Sequence, residues 1–222
     1  MPEDSHPSFE VKDKELRLVY FTLPMSLNYQ RNSYSLREAA TKTFLDKETR
    51  KVFLISESAK MATHDLQSKL LKYKLALQPN KHIDTWKRIS QTINFNWQTL
   101  THLFELADFD FLKLQELIQK DFKKGSPYLS GPKIFHYWSF VMVKYGGVPL
   151  KNKRWIDIAP DTHVTQASVR LGIISEEDAE KMRKEEISKI WREILKGTNI
   201  HPIDMHSPLW FWSRNGFMYK LS

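Results

Sequence analysis

An all-α fold is what this sequence predicts, and three observations predict it. Only seven glycines stand among 222 residues. Long stretches carry apolar residues at helical spacing. Capping residues and glycine stops bracket several of them.

Taken in order, "ELRLVYF" (Glu15 to Phe21) fits either a short strand or the start of a helix, because so short an apolar run carries no deciding period. "DLQSKLLKYKLAL" (Asp65 to Leu77) opens on an acidic cap and aligns Leu66, Leu70, Leu71 and Leu75 on one stripe. "NWQTLTHLFELADFDFLKLQELIQKDF" reads as two helices. Leu100, Leu103, Phe104 and Ala107 face inward on the first, and Phe111, Leu114, Leu117 and Ile118 on the second. Ser175 with Asp178 forms a capping box. It opens a helix with Ala179, Met182, Ile187, Ile190, Trp191 and Ile194 inward, which Gly197 stops. The chain shows no repeat, low-complexity tract or linker.

Composition narrows the chemistry. The formal charge of +8 and pI near 9.4 favour a polyanionic partner, nucleic acid first and an acidic membrane surface second. With no cysteine, disulfides, thiolate zinc sites, iron–sulfur clusters and cysteine nucleophiles are excluded. No apolar run approaches the ~20 residues that span a bilayer. The start, "MPEDSHPSFEVKDKE", lacks the apolar core of a secretory signal, so the protein is expected inside the cell, in the cytoplasm. His201 and His206 flank "PIDM" without a third ligand at helical spacing, so no metal site is expected. Neither a P-loop nor a dinucleotide glycine pattern occurs, and no cofactor is expected.

Two segments can carry chemistry. In "KKGSPYLSGPKIFHYWSFVMVKYGG" (Lys123 to Gly147), two turn signals separate a helix ending near Phe122 from one beginning near Lys133. Such a turn and the following helix N-terminus bind a phosphate through backbone N–H groups without reading sequence. A lysine in the first helical turn opposes the helix dipole. With partial burial that field would raise the neutral, nucleophilic fraction of Lys133; taken alone, it reads first as a phosphate-binding or surface lysine. In "IAPDTHVTQASVRLG" (Ile158 to Gly172), Asp161 is placed to cap a helix and also to act as a carboxylate on a substrate.

The combination resembles the helix-hairpin-helix DNA glycosylases, in which the hairpin and its helix are followed by a V-D-T-H-V-like segment with R-L-G behind it. "DTHV" (Asp161 to Val164) and "RLG" (Arg170 to Gly172) match closely, and Gly131 and Lys133 stand at the hairpin G-x-K of the bifunctional members. "LPMSLNYQRNSYSLREAA" (Leu23 to Ala40) is similar to the early helix and turn that fill the gap left by an extruded base, and places Gln30, flanked by Asn28, Tyr29 and Arg31, in that role. The C-terminal stretch looks like the tail of the archaeal 8-oxoguanine DNA glycosylases through Ile187, Ile190, Trp191, Thr198, Ile200, Pro202, Leu209 and Trp210. "GGVPLKNKRW" would be the extra loop of that branch. The resemblance covers most of residues 20–217.

The resemblance implies a single domain of two helical lobes around a DNA-binding cleft, one at approximately 40–150 with the hairpin, the other formed by the N-terminal helix and 151–222. It implies base flipping into a pocket, excision of an oxidised purine, foremost 8-oxoguanine, and β-elimination lyase activity. Lys133 and Asp161 would be catalytic. Tyr137, His206 and Trp210 would line the base pocket. Asn28, Tyr29, Gln30, Arg31, Ser130, Gly131 and His163 would contact DNA. Damaged duplex DNA is the implied partner of a monomer that does not meet a membrane. His206 departs from the acidic residue that family carries one turn before its tryptophan. A monofunctional glycosylase for another base, and a helical module that binds DNA without chemistry, remain the alternatives.

Overall fold

The computed structural model describes residues 1–28 and 31–218. Among them there is no strand, only one isolated parallel bridge between Asp110 and Lys151. No helix is long and apolar enough to cross a membrane. The chain divides into two compact units, Met1–Lys151 and Asn152–Ser222.

The ambiguous "ELRLVYF" lies in a helix, α1 (Lys14–Ser26). From Leu18 to Ser26 every residue is buried, so α1 is apolar nearly all round and shows no one-faced period. Its hydroxyls are satisfied locally, Thr22 on the Leu18 carbonyl at 2.8 Å and Ser26 on that of Leu23 at 2.7 Å. The rest of the first unit is α2 (Ser33–Leu45), α3 (Ile55–Lys60), α4 (Thr63–Lys72), α5 (Pro79–Asn96), α6 (Leu100–Leu106), α7 (Phe111–Glu116) and α8 (Pro132–Lys144). α1 packs on α8, α6 and α2, all three in the first unit. A core helix must be covered on several sides, and these neighbours cover it. The Glu15 carboxylate also ties α1 to the start of α6, accepting from the backbone N–H groups of Leu100 and Thr101 at 2.7 and 2.9 Å.

α4 starts at Thr63, before the expected Asp65, and ends at Lys72, five residues short of Leu77. Lys74 takes a left-handed φ of 59°, which ends the helix and returns Leu75 to the core. The two expected helices around Leu103 and Leu114 are α6 and α7, the second prolonged by a π turn over Leu117–Asp121.

The second unit holds α9 (Thr162–Arg170), α10 (Glu176–Lys181), α11 (Lys184–Ile194) and α12 (His206–Arg214). The Ser175–Asp178 capping box is present, and Gly197 at φ 82° follows the end of α11. The single expected helix from Ser175 is broken at Met182–Arg183, because a second start signal overlaps it: the Glu186 side chain accepts the Arg183 N–H at 2.7 Å. α10 buries no residue, and Ile194 is 50% exposed, not inward. α9 packs on α12. Trp191 donates to the Ser168 hydroxyl at 2.9 Å, which fastens α11 to α9.

Within the first unit the Arg37 guanidinium meets the Glu3 carboxylate at 2.8 Å, both side chains almost fully buried. Removing one partner of such a pair strands a buried charge. Arg37→Met is therefore expected to lower the unfolding free energy by about 3 kcal/mol, read by urea denaturation. His82 is buried, and its Nδ1 accepts the Leu77 N–H at 3.1 Å. Burial, then the charges of Arg31 and Lys81, hold its pKa below the usual histidine value. The unfolded chain thus takes up this proton first, at about 6.5. Stability contributed by neutral His82 is present above that pH and lost as pH falls through it. Denaturation at successive pH values is expected to show a loss below about pH 6.5 that is smaller in His82→Asn.

Candidate functional site

In the first unit the segment between α7 and α8 is a tight turn held by its own backbone. Ser130 N–H donates to the Ser126 carbonyl at 2.9 Å, and Gly131 N–H to that of Tyr128 at 3.0 Å. Tyr128 itself is left-handed at φ 65°. Two glycines permit the geometry. A Cβ on Gly131 would lie 3.1 Å from the Tyr128 carbonyl oxygen, and one on Gly125 would lie 2.2 Å from the Thr92 hydroxyl, which donates to the Gly125 carbonyl at 3.0 Å. The Tyr128 hydroxyl reaches back to the Asn28 carbonyl at 2.7 Å, so the early turn and this one are fastened together.

α8 starts directly from Gly131 as N-cap, with Pro132 at N1. Pro there forfeits an N–H that the helix would leave without an intrahelical acceptor. Lys133 is next and is exposed, where the sequence expectation had it partly buried. Ile134, Phe135 and His136 take the inward positions of that turn. Lys133, Tyr137, Phe140 and Lys144 follow at helical spacing on the opposite face. Three of them neighbour one another, the Tyr137 ring centroid 6.0 Å from that of Phe140 and the Lys144 ammonium 5.6 Å from the Phe140 ring.

Tyr137, expected in the base pocket, donates its hydroxyl to Glu3 at 3.1 Å. Burial, and then the Glu3 carboxylate, push that hydroxyl well above the usual tyrosine value, so it stays a donor. Arg31, expected at DNA, has its guanidinium on the carbonyls of Leu75 and Lys74 at 2.7 and 3.0 Å. Ser130 is nearly buried and accepts at its carbonyl from Gln119 at 3.1 Å. Tyr29 and Gln30 lie outside the described residues. Two exposed lysines, Lys123 and Lys124, stand beside the turn with no carboxylate partner among the described residues. Their signal in the sequence is no more than a basic pair before Gly125.

In the second unit Asp161 caps α9, its Oδ1 accepting the Val164 N–H at 2.9 Å. The residue is half-exposed. One oxygen thus serves the fold while the other is left without a hydrogen-bond partner among the described residues. His163, expected at the DNA backbone, is half-buried: its Nδ1 lies 3.2 Å from the Ser213 hydroxyl and its ring edge-on to Trp210 at 5.5 Å. Trp210 is 8% exposed, packed against Phe211 with the Arg214 guanidinium 4.8 Å over its ring. His206, the first residue of α12, is buried as well. Trp210 and His206, expected to line a base pocket, are thus packed into this unit, because a small unit needs its aromatics for a core.

No three or more His, Asp or Glu side chains gather as metal ligands among the described residues. No protein-family model, curated protein or solved structure matches the chain.

The cap can be separated from any chemistry of the same carboxylate. Asp161→Ala is expected to cost about 1 kcal/mol through loss of the cap, whereas Asp161→Asn keeps an acceptor oxygen and stays within about 0.5 kcal/mol of native. Thermal and urea unfolding of both variants checks it.

Proposed function

We propose that the protein is a DNA glycosylase with lyase activity that removes an oxidised purine, foremost 8-oxoguanine, from a flipped nucleotide in duplex DNA. The observation that carries the reading is Asp161, which caps α9 through one oxygen and leaves the other open at the head of the "DTHV…RLG" helix. An exposed lysine in the first turn of α8, behind a glycine-dependent turn, supports it, as does the net charge of +8.

In this reading the neutral Lys133 amine attacks the sugar C1′. The C1′–N9 bond breaks, and the base leaves with the electron pair and is then protonated. Asp161 stabilises the positive charge that develops on the sugar. The nitrogen passes a proton to O4′ as the C1′–O4′ bond breaks, so the ring-opened sugar and Lys133 are left as a protonated imine, which acidifies the hydrogen on C2′. Loss of that proton expels the 3′-phosphate by β-elimination. The turn, Lys123 and Lys124 hold the backbone by phosphate contacts, which position without reading sequence. Intracellular DNA is the implied location, and no cofactor enters the chemistry.

A second reading, a helical module that binds DNA without excising a base, is favoured by one observation: Trp210 and His206 are packed inside their unit, and the Tyr137 hydroxyl is engaged by Glu3. Borohydride trapping separates the two. With a duplex bearing one 8-oxoguanine, native protein is expected to give a covalent protein–DNA band that Lys133→Gln abolishes, while Asp161→Asn binds the duplex and traps at least ~100-fold less. Binding by the native protein with neither a trapped band nor base release establishes the module.

A further inference from the structure

We propose that a pocket in the second unit, walled by Trp155, binds an unpaired nucleotide, with the base stacked on the indole and the phosphate held by Arg154. The pocket measures about 720 Å³ and is lined by Arg154, Trp155, Arg192, Lys196 and Ile200 among others. That volume lies within the ~300–1,000 Å³ range of small-molecule sites. It lies between Arg154–Trp155 and the end of α11 with the segment after it, residues 192–202, to which the glycosylase chemistry gives no task.

An indole is usually placed in a core, yet Trp155 is 36% exposed. It ends a single 3₁₀ turn, Lys153–Trp155, which begins from Asn152 in the left-handed region at φ 58°. Ile200, 47% exposed, supplies a second apolar surface to the pocket. Two guanidiniums flank the indole, that of Arg192 at 5.3 Å from the ring centroid and that of Arg154 at 5.8 Å. They differ in how they are held. Arg192 is clamped by Asp157 through two hydrogen bonds, 2.9 Å from Nε and 2.5 Å from Nη2, so its charge is neutralised and its place fixed. Arg154 is exposed and has no carboxylate partner among the described residues. Among the described residues Lys196 pairs only with exposed Glu193, at 3.6 Å.

The chemistry that fits is therefore a flat π-system joined to an anion. Every nucleobase offers a π-face to a tryptophan, and its phosphate meets an exposed guanidinium that no carboxylate holds among the described residues. Free nucleotide and a nucleotide of a DNA strand share that chemistry. As a second DNA contact the site rests on the repair reading, but nucleotide binding at Trp155 does not need Lys133 or Asp161.

The test uses the full chain, a fluorescein-labelled oligothymidylate and fluorescence anisotropy. Trp155→Ala is expected to weaken binding by roughly 5- to 100-fold, and Trp155→Phe to restore most of it. Arg154→Gln is expected to reduce the slope of log affinity against log salt by about 0.7, one phosphate contact to a single strand. Photocrosslinking of the same oligonucleotide carrying 5-bromodeoxyuridine is expected to map to Trp155. Displacement of the probe by thymidine monophosphate assigns the site to free nucleotide. Loss in Trp155→Ala without such displacement assigns it to a strand. Undiminished affinity in Trp155→Ala, or crosslinks only elsewhere, overturns the site, and an unchanged salt slope in Arg154→Gln overturns the phosphate contact. The borohydride trap is read in parallel on the same variants. A normal trap with no Trp155 effect sinks this inference alone, and a Trp155 effect with no trap sinks only the glycosylase reading.

Discussion

The seam between α1 and α8 is the constraint on which the first unit depends. Trp138 is fully buried there and donates its indole N–H to the Thr22 hydroxyl at 2.9 Å, while Thr22 donates in turn to the Leu18 carbonyl. An aromatic of this size buries roughly 150–250 Å², and its one polar atom is satisfied, so the seam is both large and specific. Gly146 lets the chain leave α8 close to α1, since a Cβ there would lie 2.9 Å from the Leu18 side chain and 2.6 Å from the Met142 carbonyl oxygen. With Phe135, Trp138, Val141 and Met142 turned inward, α8 has one orientation. That orientation puts Lys133 in solvent.

Several polar groups serve the fold and a surface at once. Asp161 caps α9 with one oxygen and leaves one open. Tyr128 adopts the left-handed bend of the turn and also anchors it to Asn28. Asp157 fixes Arg192, and Arg192 in turn flanks the exposed Trp155. Where a residue is wholly consumed by packing, as Trp210 and His206 are, the same economy leaves nothing for a ligand to reach without rearrangement.

Much of the local structure could be read in advance. The Asp161 cap, the Ser175–Asp178 box and the stop at Gly197 rest on hydrogen bonds or φ values within a few residues, so local sequence suffices for them. The longest helix, α5, has its signal in view as well, with Pro79 at N1 and Ile83, Trp86, Ile89 and Ile93 at helical spacing. Charged and amide side chains between those positions dilute it. α1 was undecidable from its own residues, because a helix buried on most sides shows no one-faced period.

By itself the sequence determined the all-helical class, the caps, the basic balance and the residue types available for imine and carboxylate chemistry. These depend on backbone hydrogen bonding and side-chain identity, both of which are local. Only the tertiary structure decided which of those side chains are presented and which are engaged. The Arg31 guanidinium is engaged by the carbonyls of a turn more than forty residues away, and the Tyr137 hydroxyl by Glu3. Trp155, which no periodicity separates from a core tryptophan, was left exposed between two guanidiniums. The partner of a guanidinium, a hydroxyl or an indole is set by packing over long chain separations, and local pattern carries no record of it.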